Sequence, residues 1–172
     1  MQSIPGRVQL GMVAVAYAAV VLLAAMLLLA RHLQYVNNPA DAAAAGGMWA
    51  GGDLLLELFI DGMFFVPTFL LILVIRKSET AYTRYSQVLL GVGLTAPVCF
   101  TIVAPALTDP FGWFALHRLL ISPLLIVVLV LSWLLARFPR AKRLILYALL
   151  FEVGSAGIFI AVLLVGLSHH RR

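Results

Sequence analysis

The chain has 172 residues, of which 63% are hydrophobic and 11% are charged, and its net charge is +5. Its mean hydropathy of +1.06 exceeds the range of soluble domains, which carry about 25% charged residues. The composition therefore excludes a soluble globular protein and indicates a membrane protein.

Five apolar stretches have about the length of a membrane-spanning helix, roughly 20 residues. In chain order they cover residues 10–30, 54–75, 88–107, 119–136 and 144–167. The connections between them are short, so no soluble catalytic or nucleic-acid-binding domain lies between the spans. We predict an all-α integral membrane protein in which five transmembrane helices form a single domain over residues 1–172.

The first span has a second interpretation as a cleaved secretory signal. Arg7 precedes the apolar run, and Ala40-Asp41-Ala42 resembles a small-residue cleavage site. The apolar region of a signal peptide is only about 7–15 residues long, whereas this run continues from residue 8 to residue 30. We expect the span to be retained, and a mature protein with four spans is the alternative.

The connection over residues 31–53 contains turn-forming residues at Asn37-Asn38-Pro39 and in the pairs Gly46-Gly47 and Gly51-Gly52. Such residues favour a mobile loop over residues 37–52, which would be either a lid or only a slack connection. Asp53 directly precedes the second span, where it is predicted to be an ordinary helix N-cap.

The second span contains two acids, Glu57 and Asp61, one helical turn apart. Charged side chains at membrane depth are costly and usually mark functional sites. The helical repeat places Asp53 and Thr68 on the same face, so the helix has a polar stripe. Its apolar residues still outweigh the cost of inserting two acids, about 2.5–3.5 kcal/mol each. We predict Glu57 and Asp61 as proton- or cation-binding residues.

A third intramembrane acid, Glu152, lies in the last span at a depth similar to that of Asp61. If their helices touch, the two carboxyl groups cannot both ionise easily, so one of them would hold a proton. Small residues at Gly154-Ser155-Ala156-Gly157, with Ala161 four residues beyond Gly157, would let another helix approach closely. Glu152 is therefore predicted to face another helix and is the third candidate proton- or cation-binding residue.

Prolines interrupt several spans, and each frees a backbone carbonyl one turn earlier. Pro67 frees the carbonyl of Met63, beside Asp61, where it would join a hydrated cavity or serve only packing. Thr95 and Ser122 lie near other prolines and are expected to satisfy freed groups.

The nearest cations lie at the outer ends of the spans. Arg118 is predicted to be a counter-charge for Glu57, with extension of its side chain to water as the alternative. His32 and His117 are weak candidates for a metal site with the acids, because no ligand spacing typical of metal proteins is present. The single cysteine, Cys99, is predicted to be a small buried hydrophobe. We predict no cofactor.

Basic residues predict the orientation, because short loops rich in Lys and Arg stay in the cytoplasm. Eight of the twelve fall on one side of the five-span arrangement: Arg7, Arg76, Lys77, Arg84, Arg137, Arg140, Lys142 and Arg143. Tyr82, Tyr85 and Trp133 flank the same side, where aromatic rings prefer the headgroup region. We expect a multi-pass protein of the bacterial cytoplasmic membrane with its N-terminus inside and its C-terminus outside.

Three functions are compatible with this sequence. The first is a non-enzymatic subunit or accessory/assembly factor with a membrane-protein partner or a second copy of itself. The second is a small proton- or cation-coupled transporter or relay that uses Glu57, Asp61 and Glu152. The third is a membrane enzyme with a metal site of histidines and carboxylates near the outer face. Motifs for nucleotide binding, nucleophilic catalysis and zinc proteolysis are absent from the sequence.

Overall fold

A computed structural model of the chain describes residues 6–103, 115 and 117–169. The chain divides into two compact units, Met1–Val74 and Ile75–Arg172, here called the N-terminal and C-terminal units. All regular structure of the described residues is helical, which confirms the all-α prediction.

From residue 6 onward, the N-terminal unit forms four helices: α1 (Gly6–Asn37), α2 (Pro39–Ala44), α3 (Gly46–Met63) and α4 (Phe65–Ile75). The predicted mobile loop over residues 37–52 is therefore wrong, because all but two of its residues are helical. Each glycine in a helix costs about 1 kcal/mol relative to alanine. The neighbouring alanines and the contacts that Arg31 makes to α3 oppose that cost.

The second predicted span is a broken helix. Phe64 separates α3 from α4, and its N–H reaches back to the Asp61 carbonyl at 3.2 Å. The break follows from Pro67, whose ring clashes with the carbonyl four residues earlier and which has no N–H to donate. Thr68 stabilises the restarted helix, because its hydroxyl donates to the Phe64 carbonyl at 2.7 Å.

In the C-terminal unit, the longest helices of the described residues are α5 (Glu79–Val103), α6 (Ser122–Leu135) and α7 (Pro139–His169). Residues 117–120 are also helical and lead through a turn at Ile121 into α6. The Ser78 hydroxyl accepts the Ala81 N–H at 3.4 Å and caps α5. Pro139 opens α7, where its missing N–H costs nothing.

Buried residues in the C-terminal unit recur at alternating spacings of four and three. On α7 the buried positions are Ala141, Ile145, Ala148, Glu152 and Ser155. This heptad pattern is typical of helices packed side by side at a small angle. Small residues let α7 approach α5 closely, as they do in other membrane bundles.

The closest approach of α5 and α7 is at Gly93. A Cβ on Gly93 would lie 3.0 Å from the Ala148 Cα and carbonyl oxygen. The predicted small-residue surface on α7 is confirmed only in part: Ser155 is buried, whereas a Cβ on Gly154 or Gly157 would meet nothing within 4 Å. Alanine and serine on α7, rather than its glycines, therefore form the contact face.

Three helices within the described residues are long and apolar enough to cross a membrane: Gly6–Asn37, Gly46–Ile75 and Pro139–Ala161. Ser122–Leu135 is apolar but shorter. The chain thus has the helices of a membrane protein, while the count of five spans stays a prediction. Residues 104–107 of the third predicted span lie outside the described residues.

Candidate functional site

The C-terminal unit contains a buried ion pair between Arg118 and Glu152. The guanidinium binds the carboxylate with two parallel hydrogen bonds, Nη1 to Oε1 at 2.9 Å and Nη2 to Oε2 at 2.6 Å. Glu152 is 0% exposed and Arg118 is 8% exposed. Hydrogen bonds between charged groups are about twice as strong as neutral ones, and the bidentate geometry also fixes the orientation of the two side chains.

Two helices, α5 and α6, supply the remaining partners of the pair. Ser122, at the start of α6, donates its hydroxyl to Glu152 Oε1 at 2.5 Å. On α5, Thr95 Oγ1 accepts from Arg118 Nε at 3.1 Å, and the Val92 carbonyl accepts from Nη2 at 3.2 Å. The ion pair therefore joins α5, the helical segment before α6, and α7.

This arrangement satisfies both charges. Both carboxylate oxygens of Glu152 have donors, and the guanidinium of Arg118 donates four hydrogen bonds. A buried ion pair persists in a low-dielectric interior only when such extra hydrogen bonds accompany it. Chemically, the network is suited to fixing helices in one register.

The structure assigns Arg118 and Glu152 a partner that the sequence does not. The sequence pairs Arg118 with Glu57 and places Glu152 near Asp61; in the structure Arg118 and Glu152 bind each other. Ser122 also differs from expectation, because its hydroxyl donates to Glu152 rather than to a carbonyl freed by a proline. The proposed roles of these residues in proton or cation binding stay predictions.

Asp61 has a buried oxygen without a partner. It lies in the last turn of α3, just before the break at Phe64. Its Oδ2 atom is buried and is hydrogen-bonded to none of the described residues. A buried polar atom without a hydrogen bond is costly in free energy. A proton on the carboxyl group, a water molecule, an ion or a donor from another protein would each remove that cost.

The other polar residues of the second span have separate partners. Thr68 also pairs with the Tyr17 hydroxyl of α1 at 2.9 Å. Glu57 is half-buried on α3. The polar stripe of the sequence therefore exists along one helix, but its members make contacts of different kinds.

Sequence reasoning missed a polar cluster that joins α1 to α3. Arg31 Nε donates to Asp53 Oδ1 at 2.5 Å, and Nη2 donates to the Trp49 carbonyl at 2.9 Å. Tyr35 donates its hydroxyl to the other oxygen of Asp53. The guanidinium also lies over the Tyr35 and Trp49 rings, 5.0 and 4.5 Å from their centroids.

This cluster, here called the α1–α3 latch, corrects the interpretation of Asp53. Asp53 lies well inside α3, which begins at Gly46, so the predicted N-cap is wrong. The signal was present in the sequence: Arg31 and Tyr35 are four residues apart, as are Trp49 and Asp53. Both pairs share a helix face only if residues 31–53 are helical.

A second polar contact was also missed, between the start of α5 and the end of α6. Tyr82 is fully buried and donates its hydroxyl to the Ser132 carbonyl at 2.5 Å. Tyr85 pairs with the Ser132 hydroxyl at 3.1 Å. Burial, with a smaller contribution from Tyr85, raises the pKa of Tyr82 to about 12.

The candidate metal ligands are dispersed. His32 is exposed on α1, and His117 is half-buried before α6. Among the described residues, no group of three or more His, Cys, Asp or Glu side chains is placed to hold a metal ion. Cys99 is buried and packs with Ala115 and Leu119.

No protein-family model matches the chain, and neither a curated protein nor a solved structure is significantly similar to it.

Proposed function

We propose that the chain is a non-enzymatic subunit or assembly factor of a membrane system. It lies in a bacterial cytoplasmic membrane with its N-terminus inside and its C-terminus outside. The observation that supports this best is the saturation of Glu152 by Arg118 and Ser122 inside the C-terminal unit. The deepest acid of this unit serves its own helix packing rather than a transported ion.

A relay residue must gain and lose its proton or ion during each cycle. Protonation of Glu152 would leave the Arg118 charge buried without a counter-charge, which is strongly destabilising. We therefore propose that Glu152 is a structural residue and does not exchange protons or ions.

Asp61 supplies the second support. Its buried Oδ2 lacks a donor among the described residues, and a neighbouring subunit with a hydroxyl, amide or cationic side chain at this depth would provide one. Polar side chains commonly connect helices across interfaces in membranes. We place the partner, another protein or a second copy of this chain, against α3 at Asp61.

The test is site-specific photo-crosslinking in native membranes. A photoreactive residue at Gly62 has open space, since a Cβ there meets nothing within 4 Å; the same holds for Gly154 on α7, the matched control. We expect a discrete protein adduct from Gly62, in a fixed ratio to the chain, that is lost in Asp61→Leu. Lipid adducts alone from Gly62, or adducts that persist in Asp61→Leu, would contradict the proposal.

One observation favours a second candidate, a proton- or cation-coupled transporter. Asp61 lies beside a broken helix, and Pro67 cannot donate to the Met63 carbonyl. Broken helices with free carbonyls and an acid bind Na⁺ or H⁺ at mid-membrane in secondary transporters. Glu57, one turn away, would form the approach from the outer face.

Liposome flux tests this candidate. We expect a transporter to give proton or cation flux that Asp61→Asn and Glu57→Gln abolish. Glu79→Gln, an acid outside the second span, is the control and should leave the flux unchanged. Absence of flux from the native chain, or equal flux from all variants, excludes the candidate.

A further inference from the structure

A polar groove lies between the first turns of α5 and the first turn of α7. It is open to the surface and has a volume of about 270 Å³. The lining side chains are Glu79, Thr80, Thr83, Arg84, Gln87 and Arg140. A groove of this size is slightly smaller than a typical small-molecule pocket, about 300–1,000 Å³, and suits a phosphate with part of a headgroup.

The groove offers donors that the fold does not use. Within the described part of the chain, Arg84 and Arg140 have no ion pair, and the hydroxyls of Thr80 and Thr83 have no hydrogen bond. A guanidinium presents a planar set of N–H groups that matches the oxygens of a phosphate. Two guanidiniums facing one groove therefore select a phosphoryl group.

The surroundings of the groove indicate where that phosphoryl group comes from. In residues 76–87 and 137–143, at this end of the C-terminal unit, Glu79 is the single acid. The same two stretches contain seven cations: Arg76, Lys77, Arg84, Arg137, Arg140, Lys142 and Arg143. Trp133 lies at the same end, with Lys142 Nζ 4.5 Å from its ring centroid. Basic pockets between membrane helices, bordered by interfacial aromatic residues, bind the headgroups of anionic lipids.

We propose that this groove binds the phosphate group of an anionic phospholipid. Arg84 and Arg140 hold the phosphate oxygens from the two helices, and Thr80 and Thr83 donate their hydroxyls. Glu79 faces the same groove and opposes the anion, so its charge limits the affinity. The proposal depends on the membrane location but not on either proposed function.

The test is native mass spectrometry of the full chain released from nanodiscs. One nanodisc preparation contains phosphatidylcholine alone, and the other adds phosphatidylglycerol. We expect retained phosphatidylglycerol on the native chain, binding about tenfold weaker in Arg84→Gln and in Arg140→Gln, and stronger binding in Glu79→Gln. Arg143→Gln removes the same charge from α7 outside the groove and should behave like the native chain.

The gain expected from Glu79→Gln separates the site from a folding effect, because a damaged fold would not bind more lipid. Equal retention of both lipids would overturn the proposal, as would equal losses from Arg143→Gln and Arg84→Gln. A titration with inorganic phosphate distinguishes the source. Arginine-dependent binding of free phosphate without retained phosphatidylglycerol would assign the groove to a soluble anion and overturn the lipid assignment.

Discussion

At the scale of single residues, the central feature is the ion pair of Arg118 and Glu152. Each charge alone would be costly inside a membrane. Together they form a bidentate contact with donors and acceptors on α5 and at the start of α6. The network gives these helices one favourable register, because a shift of any helix would separate a charge from its partner.

Removing one charge should therefore cost more than removing both. We expect Arg118→Gln and Glu152→Gln each to lower the free energy of unfolding by about 3–5 kcal/mol, because each leaves an uncompensated buried charge. The double variant Arg118→Met with Glu152→Met should lie much closer to the native chain, since well-packed apolar pairs are often neutral replacements. Unfolding by sodium dodecyl sulfate in mixed micelles, followed by circular dichroism, measures all three. Additive losses in the double variant would contradict this role.

Tyr82 predicts a pH dependence of stability at the alkaline end. Its hydroxyl is neutral in the fold, and burial raises its pKa from 10.0 to about 12. Above pH 10 the unfolded chain loses this proton before the folded chain does. The stabilising contribution is therefore complete below pH 10 and declines by about 1–3 kcal/mol as the pH rises to 12.

The measurement is the free energy of unfolding at several pH values in the same micelles. Tyr82→Phe removes the titrating group and its bond to the Ser132 carbonyl, so its stability is lower by about 0.5–1.5 kcal/mol at neutral pH. Its decline between pH 10 and pH 12 should be shallower than that of the native chain. Parallel curves for the two proteins would show that Tyr82 does not titrate as stated.

At the scale of helices, the contacts that join the helices within the N-terminal unit differ in kind from those within the C-terminal unit. The α1–α3 latch joins its helices by a salt bridge and two cation–π contacts near the polar ends of the apolar segments. In the C-terminal unit, α5 and α7 pack through small residues along a heptad seam. Close backbone approach at Gly93 is what allows the second arrangement.

Two glycines on α5 test that seam. Gly93→Ala places a methyl group 3.0 Å from the backbone of Ala148, which must move away, so we expect a loss of about 1–3 kcal/mol in stability. Gly91→Ala is the matched control, because its Cβ meets nothing within 4 Å. It should be neutral or stabilise the helix by up to about 1 kcal/mol. The same unfolding assay reports both, and equal effects would contradict a close contact at Gly93.

At the scale of the whole molecule, the sequence and the structure give different numbers of membrane-spanning helices. Five apolar stretches occur in the sequence, whereas three helices of the described residues meet the length and hydropathy of a span. The two counts agree on opposite sides for the termini. They differ in the side of the membrane on which they place Asp109, a position outside the described residues.

Labelling of single cysteines distinguishes the two counts. In a Cys99→Ala background, five spans place Lys77→Cys inside and Asp109→Cys outside. An impermeant maleimide applied to intact cells should then label only Asp109→Cys. With three spans both positions lie on the same side, so labelling of neither from outside would refute the five-span arrangement.

The sequence by itself determined the membrane class, the all-α structure and the positions of the intramembrane charges. Those properties follow from composition and from apolar runs, which are local. Its main error in the fold is the loop at residues 37–52, because local propensity treats the glycines of that stretch as helix breakers. The contacts that Arg31 makes across the turn are not visible in local propensity.

Only the tertiary structure decided which charges meet. The sequence gives the depth of Arg118 and Glu152 along their helices, but pairing depends on which helices are neighbours and which faces they turn toward each other. The heptad seam of α7 turns Glu152 toward Arg118, while Asp61 lies at a break in another unit. Helix neighbours are set by many weak contacts between small residues, and no single stretch of sequence records them.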